Sequence, residues 1–181
     1  FVQDFLNTSN IEMGTFTYNM VPLNFRKIVE EAVDKQKDGA KEKGLNFEIT
    51  IAESGYNMTG DPIQLGQAIR NLIDNSIKYT PKGTINLRLT RLPDRDGQAT
   101  NDKKILLEIK DTGVGISEEL KPKLFTKGGR DKGSQKINVN STGFGLSFVK
   151  GVVEAHKGHV WAESPGPGKG SNFYMELPLS S

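Results

Sequence analysis

The chain has 181 residues, 35% of them hydrophobic and 25% charged, with a formal net charge of +2. These values describe an ordinary soluble globular protein with one full-sized core and a short appendage, or two small domains. No run approaches eighteen apolar residues, the start has no signal-peptide pattern, and a charge this small gives no argument for nucleic acid. There is no cysteine, so disulfides and thiolate metal sites are excluded. The chain begins without methionine and in mid-pattern, and is expected to be a fragment of something longer.

Residues 1–20 read as the last turns of a helix and a linker. Phe1, Val2, Phe5 and Leu6 recur at helical spacing, and the pattern dissolves after Met13-Gly14. So short a helix cannot bury its own apolar face and is expected to lean on a partner or a neighbouring domain. Pro22 marks a boundary, with residues 21–181 as the main domain. Asn24 caps a helix running to about Lys43 and ended by Gly44, with Phe25, Ile28, Val29, Ala32 and Val33 inward. Leu45–Ile51 alternates as a strand.

The next segment, "GDPIQLGQAIRNLIDNSIKY", carries two stripes when read as a helix. Leu65, Ile69, Leu72, Ile73 and Ile77 form the core side. Gln67, Asn71, Asn75 and Lys78 line up on another side. Asp61-Pro62 is a good start, a capping carboxylate followed by a proline at the first helical position. Asparagine is a mediocre helix former, so the polar column is either a solvated face or a site.

Thr84–Leu92 and Lys104–Asp111 alternate as strands, joined by a hairpin tip over residues 93–102. "DTGVGIS" is turn chemistry, with a short helix from Ser117 to about Lys123. Asp111 at a strand end beside glycines either caps a tight turn or accepts from the amino group of a flat ring. Residues 126–142 are basic and glycine-bearing, a solvated loop or a lid over phosphates. Gly143–His156 returns to helical spacing, and "TGFGLS" at its start is either a plain helix entry or a phosphate site. "HVWAES" and "SNFYMELPL" close the chain as strands about "PGPGKG". This order predicts an α+β two-layer sandwich, a mixed, mostly antiparallel sheet with helices on one face.

Taken in order, these segments resemble the catalytic ATP-binding domain of sensor histidine kinases, within the gyrase, Hsp90, histidine kinase and MutL group with its Bergerat-type fold. "NLIDNSIKYTPKG" is similar to that family's N box, "DTGVGIS" to its first glycine box, "LFTKG" to a short F box and "TGFGLSFVK" to its second glycine box. "DFLNTSNIEMG" resembles the end of the second dimerisation helix and its linker.

The resemblance implies ATP and Mg²⁺ as cofactors. Asn75 would ligate Mg²⁺, with Asn71 as second ligand or water holder. Lys78 would reach the phosphates, and Tyr79 would lie against the nucleotide. Asp111 would accept from the adenine amino group, and Gly113 and Gly115, followed by Ile116, would let the ring approach. Thr142, Gly143, Phe144 and Gly145 would line the phosphates, with Leu146 behind them and Lys127 and Arg130 reaching in from the lid. Asn71, Asn75 and Lys78 would form the catalytic set. The implied function is transfer of the γ-phosphate to a histidine on an upstream dimerisation segment, for two-component signalling.

The implied partners are the dimerisation and phosphoacceptor domain of the same protein and a response regulator receiver domain, in a homodimer whose catalytic portion is cytoplasmic. Two departures stand out. Thr126-Lys127 replace the F box's second aromatic, and no acceptor histidine is recognisable, His156 being read as a helix-dipole residue. A gyrase-like hydrolysing clamp is the competing reading. That group carries a glutamate where Asn71 stands, and an amide cannot act as general base. A partner-docking module without catalysis is the third reading.

Overall fold

The computed structural model describes residues 2–92, 103–126 and 145–180. Helix α1 (Val2–Glu12) is followed by β1 (Val21–Asn24), α2 (Phe25–Glu42), β2 (Asn46–Ile51), β3 (Asn57–Gly60) and α3 (Pro62–Tyr79). Then come β4 (Thr84–Arg91), β5 (Lys104–Asp111), a 3₁₀ turn at Lys121–Lys123, α4 (Gly145–Ala155), β6 (His159–Glu163) and β7 (Ser171–Pro178). The main sheet has the order β2-β4-β5-β7-β6. Its β2–β4 pair is parallel and its other pairs are antiparallel, the mixed sheet that the alternating strands predicted.

Both long helices start where side-chain carbonyl or carboxylate oxygens can satisfy free N–H groups. Asn24 accepts from Arg26 N, and Asp61 accepts from Ile63 N and Gln64 N. The apolar stripe of α2 (Phe25, Val29, Ala32, Val33) and that of α3 (Leu65, Ile69, Leu72, Ile73) are fully buried. They pack with α4 on the sheet face formed by Ile85, Leu87, Leu89, Ile105, Leu107 and Ile109. The opposite face carries an aromatic row, with Trp161 stacked between His159 and Tyr174 at centroid distances of 5.2 and 5.0 Å.

Three local expectations are corrected. Pro22 was expected only as a boundary, not within a strand. It lies inside β1, which pairs with β3 in a separate two-stranded sheet, Val21 opposite Gly60. A two-stranded ribbon has only edges, where a missing N–H costs little. The predicted helix from Ser117 is turn structure and a single 3₁₀ turn, with Pro122 inside it. His156 does not answer a helix dipole at the surface. It is 3% exposed, its Nδ1 donating to Val152 O at 2.7 Å and its Nε2 accepting from Asp61 N at 2.9 Å.

Helix α1 leans on α4, as its length requires. A Cβ added at Gly151 would stand 2.2 Å from Cγ2 of Ile11, so the glycine is the notch that seats this side chain. The linker after α1 is fastened at one carboxylate. Asp61, while capping α3, also accepts from Asn19 N at 2.9 Å. Tyr18 packs edge-on against His156, and burial together with the Asp61 charge pushes its hydroxyl pKa up to about 12.

Candidate nucleotide site

Asp111, the last residue of β5, is 3% exposed. Its Oδ1 accepts from Gly113 N at 2.9 Å and Ser171 N at 3.2 Å, and its Oδ2 accepts from Ser171 Oγ at 2.7 Å. Burial raises its pKa, opposed by the Ser171 hydroxyl and then by the Gly113 and Ser171 amides. A carboxylate offers about four lone-pair positions, so one on Oδ2 remains for a further donor.

Two buried hydroxyls adjoin this carboxylate. Ser76 Oγ approaches it without completing a hydrogen bond, and neither Ser76 Oγ nor Thr80 Oγ1 has a partner among the described residues. Buried hydroxyls are rarely left unpaired. The group beside Asp111 is therefore suited to a ligand edge bearing both donors and acceptors, as a purine does.

The glycines of "DTGVG" are used by the protein itself. A Cβ on Gly113 would lie 2.3 Å from Tyr79 O, and one on Gly115, whose φ is +73°, would lie 2.1 Å from Gly166 O. The turn is thus pressed between the end of α3 and the "SPGPGKGS" turn. Gly168 N donates to Val114 O at 2.7 Å, Gly170 N to Gly113 O at 3.1 Å, and Ile116 N to Ser164 Oγ at 3.0 Å. Ile116 is buried and Tyr79 half-buried, its carbonyl accepting from Val114 N.

From Thr80 the polar column runs back along α3. Lys78 is ion-paired with Asp74 at 2.8 Å, so its ammonium does not stand free. Asn75 is half-buried, with no side-chain hydrogen bond to any described residue. Gln67 Nε2 donates to Asn71 Oδ1 at 3.2 Å. A Cβ on Gly145, the first residue of α4, would lie 3.9 Å from Asn71 Nδ2, so α4 begins beside this amide. An α-helix N-terminus with its unsatisfied N–H groups favours an anion. The site is therefore polarised, with a purine-compatible end at Asp111 and Thr80 and an anion-compatible end at Asn71 and Gly145. At about 1.5 Å rise per residue, roughly 14 Å of α3 separates Asn71 from Thr80.

The structure thus joins Asn71, Asn75, Lys78, Tyr79, Asp111, Gly113, Gly115, Ile116, Gly145 and Leu146 around α3. Leu146 is half-buried and packs on the core. Lys127, Arg130, Thr142, Gly143 and Phe144 lie outside the described residues. Ser76, Thr80, Ser164 and Ser171 also lie at this site, where the sequence motifs did not place them. The signals were a serine next to Asn75, a threonine closing the helix, and a serine at each end of the "PGPGKG" turn.

Residues 60–181 match the family model described as histidine kinase-, DNA gyrase B-, and HSP90-like ATPase. The chain is 28% identical over 179 residues to the sensor histidine kinase GacS of Pseudomonas protegens, covering 98% of this chain and 19% of that protein. It is 29% identical over 179 residues to the signal transduction histidine-protein kinase BarA of Escherichia coli, again covering 98% and 19%. With the circadian input-output histidine kinase CikA of Synechococcus elongatus it shares 30% over 180 residues, covering 98% and 22%. It thus spans about a fifth of each of these relatives.

Among solved structures, full-length ShkA in complex with AMPPNP superposes with a TM-score of 0.77 at 19% identity, covering 99% of this chain and 35% of that one. The Acinetobacter baumannii histidine kinase AdeS superposes at 0.73 and 22% identity, covering 99% and 77%. The fold is that of histidine kinase catalytic domains, and the chain belongs to the histidine kinase-, DNA gyrase B-, and HSP90-like ATPase family.

Proposed function

We propose that this chain is the ATP·Mg²⁺-binding catalytic domain of a sensor protein-histidine kinase, transferring the γ-phosphoryl group to a histidine outside residues 1–181. The observation that carries the reading is an amide, Asn71, beside the first residue of α4. A hydrolase of this family needs a carboxylate there to take a proton from water, and an amide cannot do so at neutral pH.

ATP with its Mg²⁺ supplies the transferable phosphoryl group and the charge that balances it. The protein's part is positioning and electrostatic complementarity. Asp111 takes the adenine amino group at its remaining lone pair. Ser76 and Thr80 pair with the ring edge, and the preference for adenine over guanine comes from Asp111, an acceptor that suits an amino group and repels a carbonyl oxygen. Asn75, neutral and without a side-chain hydrogen bond among the described residues, is the ligand for a cation that keeps several of its waters. The start of α4 receives phosphate oxygens.

Neither histidine of the chain suits the acceptor role. His156 has both ring nitrogens engaged in the core, and His159 lies in the aromatic row on the far side of the sheet. The receptor-side partners follow from this reading, namely an acceptor domain of the same protein and then a response regulator receiver.

The test is phosphotransfer from labelled ATP to a supplied acceptor domain. Asn75→Ala should abolish the Mg²⁺-dependent transfer while metal-free nucleotide binding survives in part. Asn71→Glu should raise ATP hydrolysis above the wild-type background and impair transfer. Wild-type turnover of ATP in water at hydrolase-like rates would overturn the kinase reading in favour of a hydrolysing clamp.

A further inference from the structure

Resting on the nucleotide reading, we propose that Arg70 and Gln67 are positioning residues that fix the Asn71 side chain with its NH₂ group, not its oxygen, toward the phosphate end of the site. Donors and acceptors fix the direction of these side chains. An arginine has five N–H donors and no acceptor, whereas a glutamine or asparagine amide has one end of each kind. Arg70 Nη2 lies 2.6 Å from Gln67 Oε1. Because arginine can only donate, the oxygen of Gln67 must be the end that meets it.

Gln67 then has only its NH₂ to offer on the other side, where it reaches Asn71 at 3.2 Å. The end of Asn71 that meets this donor must be its oxygen. Its NH₂ is therefore left on the free side, and Nδ2 is one of the two Asn71 atoms nearest to the first residue of α4. One cation thus sets the direction of two amides in series.

The local sequence makes room for this relay. Gly66 is buried in the middle of α3, where glycine costs about 1 kcal/mol relative to alanine. A Cβ there would stand 3.2 Å from Arg70 Nη1, with Ile28 of α2 at 3.7 Å. The glycine lets the guanidinium fold back toward Gln67 while α2 packs beneath. Among the described residues no carboxylate lies within ion-pair distance of Arg70, and Gln67 is the side chain there that accepts from it.

The consequence is a division of labour between the two asparagines. Asn71 presents a donor suited to a phosphate oxygen, and its engaged oxygen is turned away from a metal. Asn75, with no such partner among the described residues, is left to supply the metal-ligating oxygen. This revises the resemblance-based expectation of Asn71 as a second metal ligand.

The test is a mutant cycle on this chain, with calorimetric titration of ATP in EDTA. Salt is held at about 0.5 M so that long-range charge is screened. Arg70→Glu replaces the donor by an acceptor, which reverses Gln67 and turns the Asn71 oxygen toward the phosphates. It should weaken metal-free ATP binding about tenfold or more, because a charge-assisted bond is exchanged for a repulsion. Arg70→Met only releases the relay and should cost about threefold or less. In a Gln67→Met background the two Arg70 substitutions should agree within about twofold.

A cost of Arg70→Glu that persists undiminished in the Gln67→Met background would show a bare charge effect and overturn the relay. On the unmodified chain, the Asn71 side-chain NH₂ resonances should shift when ATP is added without metal, and their constancy would also overturn it. If the wild-type chain binds no ATP, the nucleotide reading fails and takes this proposal with it. If it binds and the cycle is additive, the relay alone fails.

Discussion

Replacing Asp111 by asparagine tests base recognition with little disturbance of the fold. Oδ1 faces two backbone N–H groups and must remain an oxygen, so the new NH₂ takes the Oδ2 side. There it meets the Ser171 hydroxyl, which can turn and accept. The chain should lose little stability, but an adenine amino group would now face another donor. Such a mismatch costs about 1–3 kcal/mol, so calorimetry should show ATP affinity lowered about tenfold or more while the thermal midpoint moves little.

His156 gives a pH prediction of opposite character. Burial lowers its pKa in the fold, so below its ordinary value near 6.5 the unfolded chain binds a proton that the folded chain resists. Stability should therefore fall as pH drops through about 6.5. Asp111, with its raised folded pKa, contributes in the other sense, gaining stability on acidification. Denaturant melts at about pH 7.5 and 5.5 should show the loss, and His156→Gln should flatten it.

Among the elements, the turn between β5 and the 3₁₀ segment is the one held by backbone fit. Gly115→Ala would place a methyl 2.1 Å from Gly166 O at a φ of +73°. Left-handed strain alone costs roughly 1–2 kcal/mol, and the collision adds to it. The substitution should lower unfolding free energy by about 2 kcal/mol or more in a denaturant titration, and ATP binding with it, because Asp111 and Gly113 sit in the same turn.

The helices α2 and α3, and strands β2, β4 and β5, were legible because period and cap agree along each. The β1–β3 ribbon was not, since four-residue strands carry too little alternation and Pro22 argues against a strand unless the edge is known. Within the site, Asn71, Asn75 and Asp111 were readable because each is costly where it stands. Ser171 and Thr80 were invisible, because their proximity to Asp111 is created by the register of β5 on β7 and by the end of α3. The Arg70–Gln67–Asn71 order was hidden for a different reason. Spacing puts side chains within reach but does not say which end of an amide faces which neighbour.

For the whole molecule, the seat of α1 on α4 can be undone without entering the core. Gly151 is half-buried, and the first atom that a larger side chain meets there is Cγ2 of Ile11. Gly151→Val should release α1, seen as faster proteolysis within residues 2–12. The Asp61–Asn19 attachment should keep the linker in place and the thermal midpoint of the remainder close to wild type. A fall of many degrees would mean that α1 is part of the main cooperative unit.

The pairing of Asp111 with Ser171, and of the whole of β5 along β7, has a consequence for the chain as a string. The chain ends its strand at Asp111 and comes back beside it at Ser171, with α4 packed on α3 and β6 paired with β7 before it does so. A single cut anywhere in 127–144 would therefore separate two polypeptides that still share one sheet and one core. The molecule should survive as a noncovalent pair. Two genes divided at that point and expressed together should yield one sedimenting particle, with the Asp111 end of the site on the first piece and the α4 end on the second.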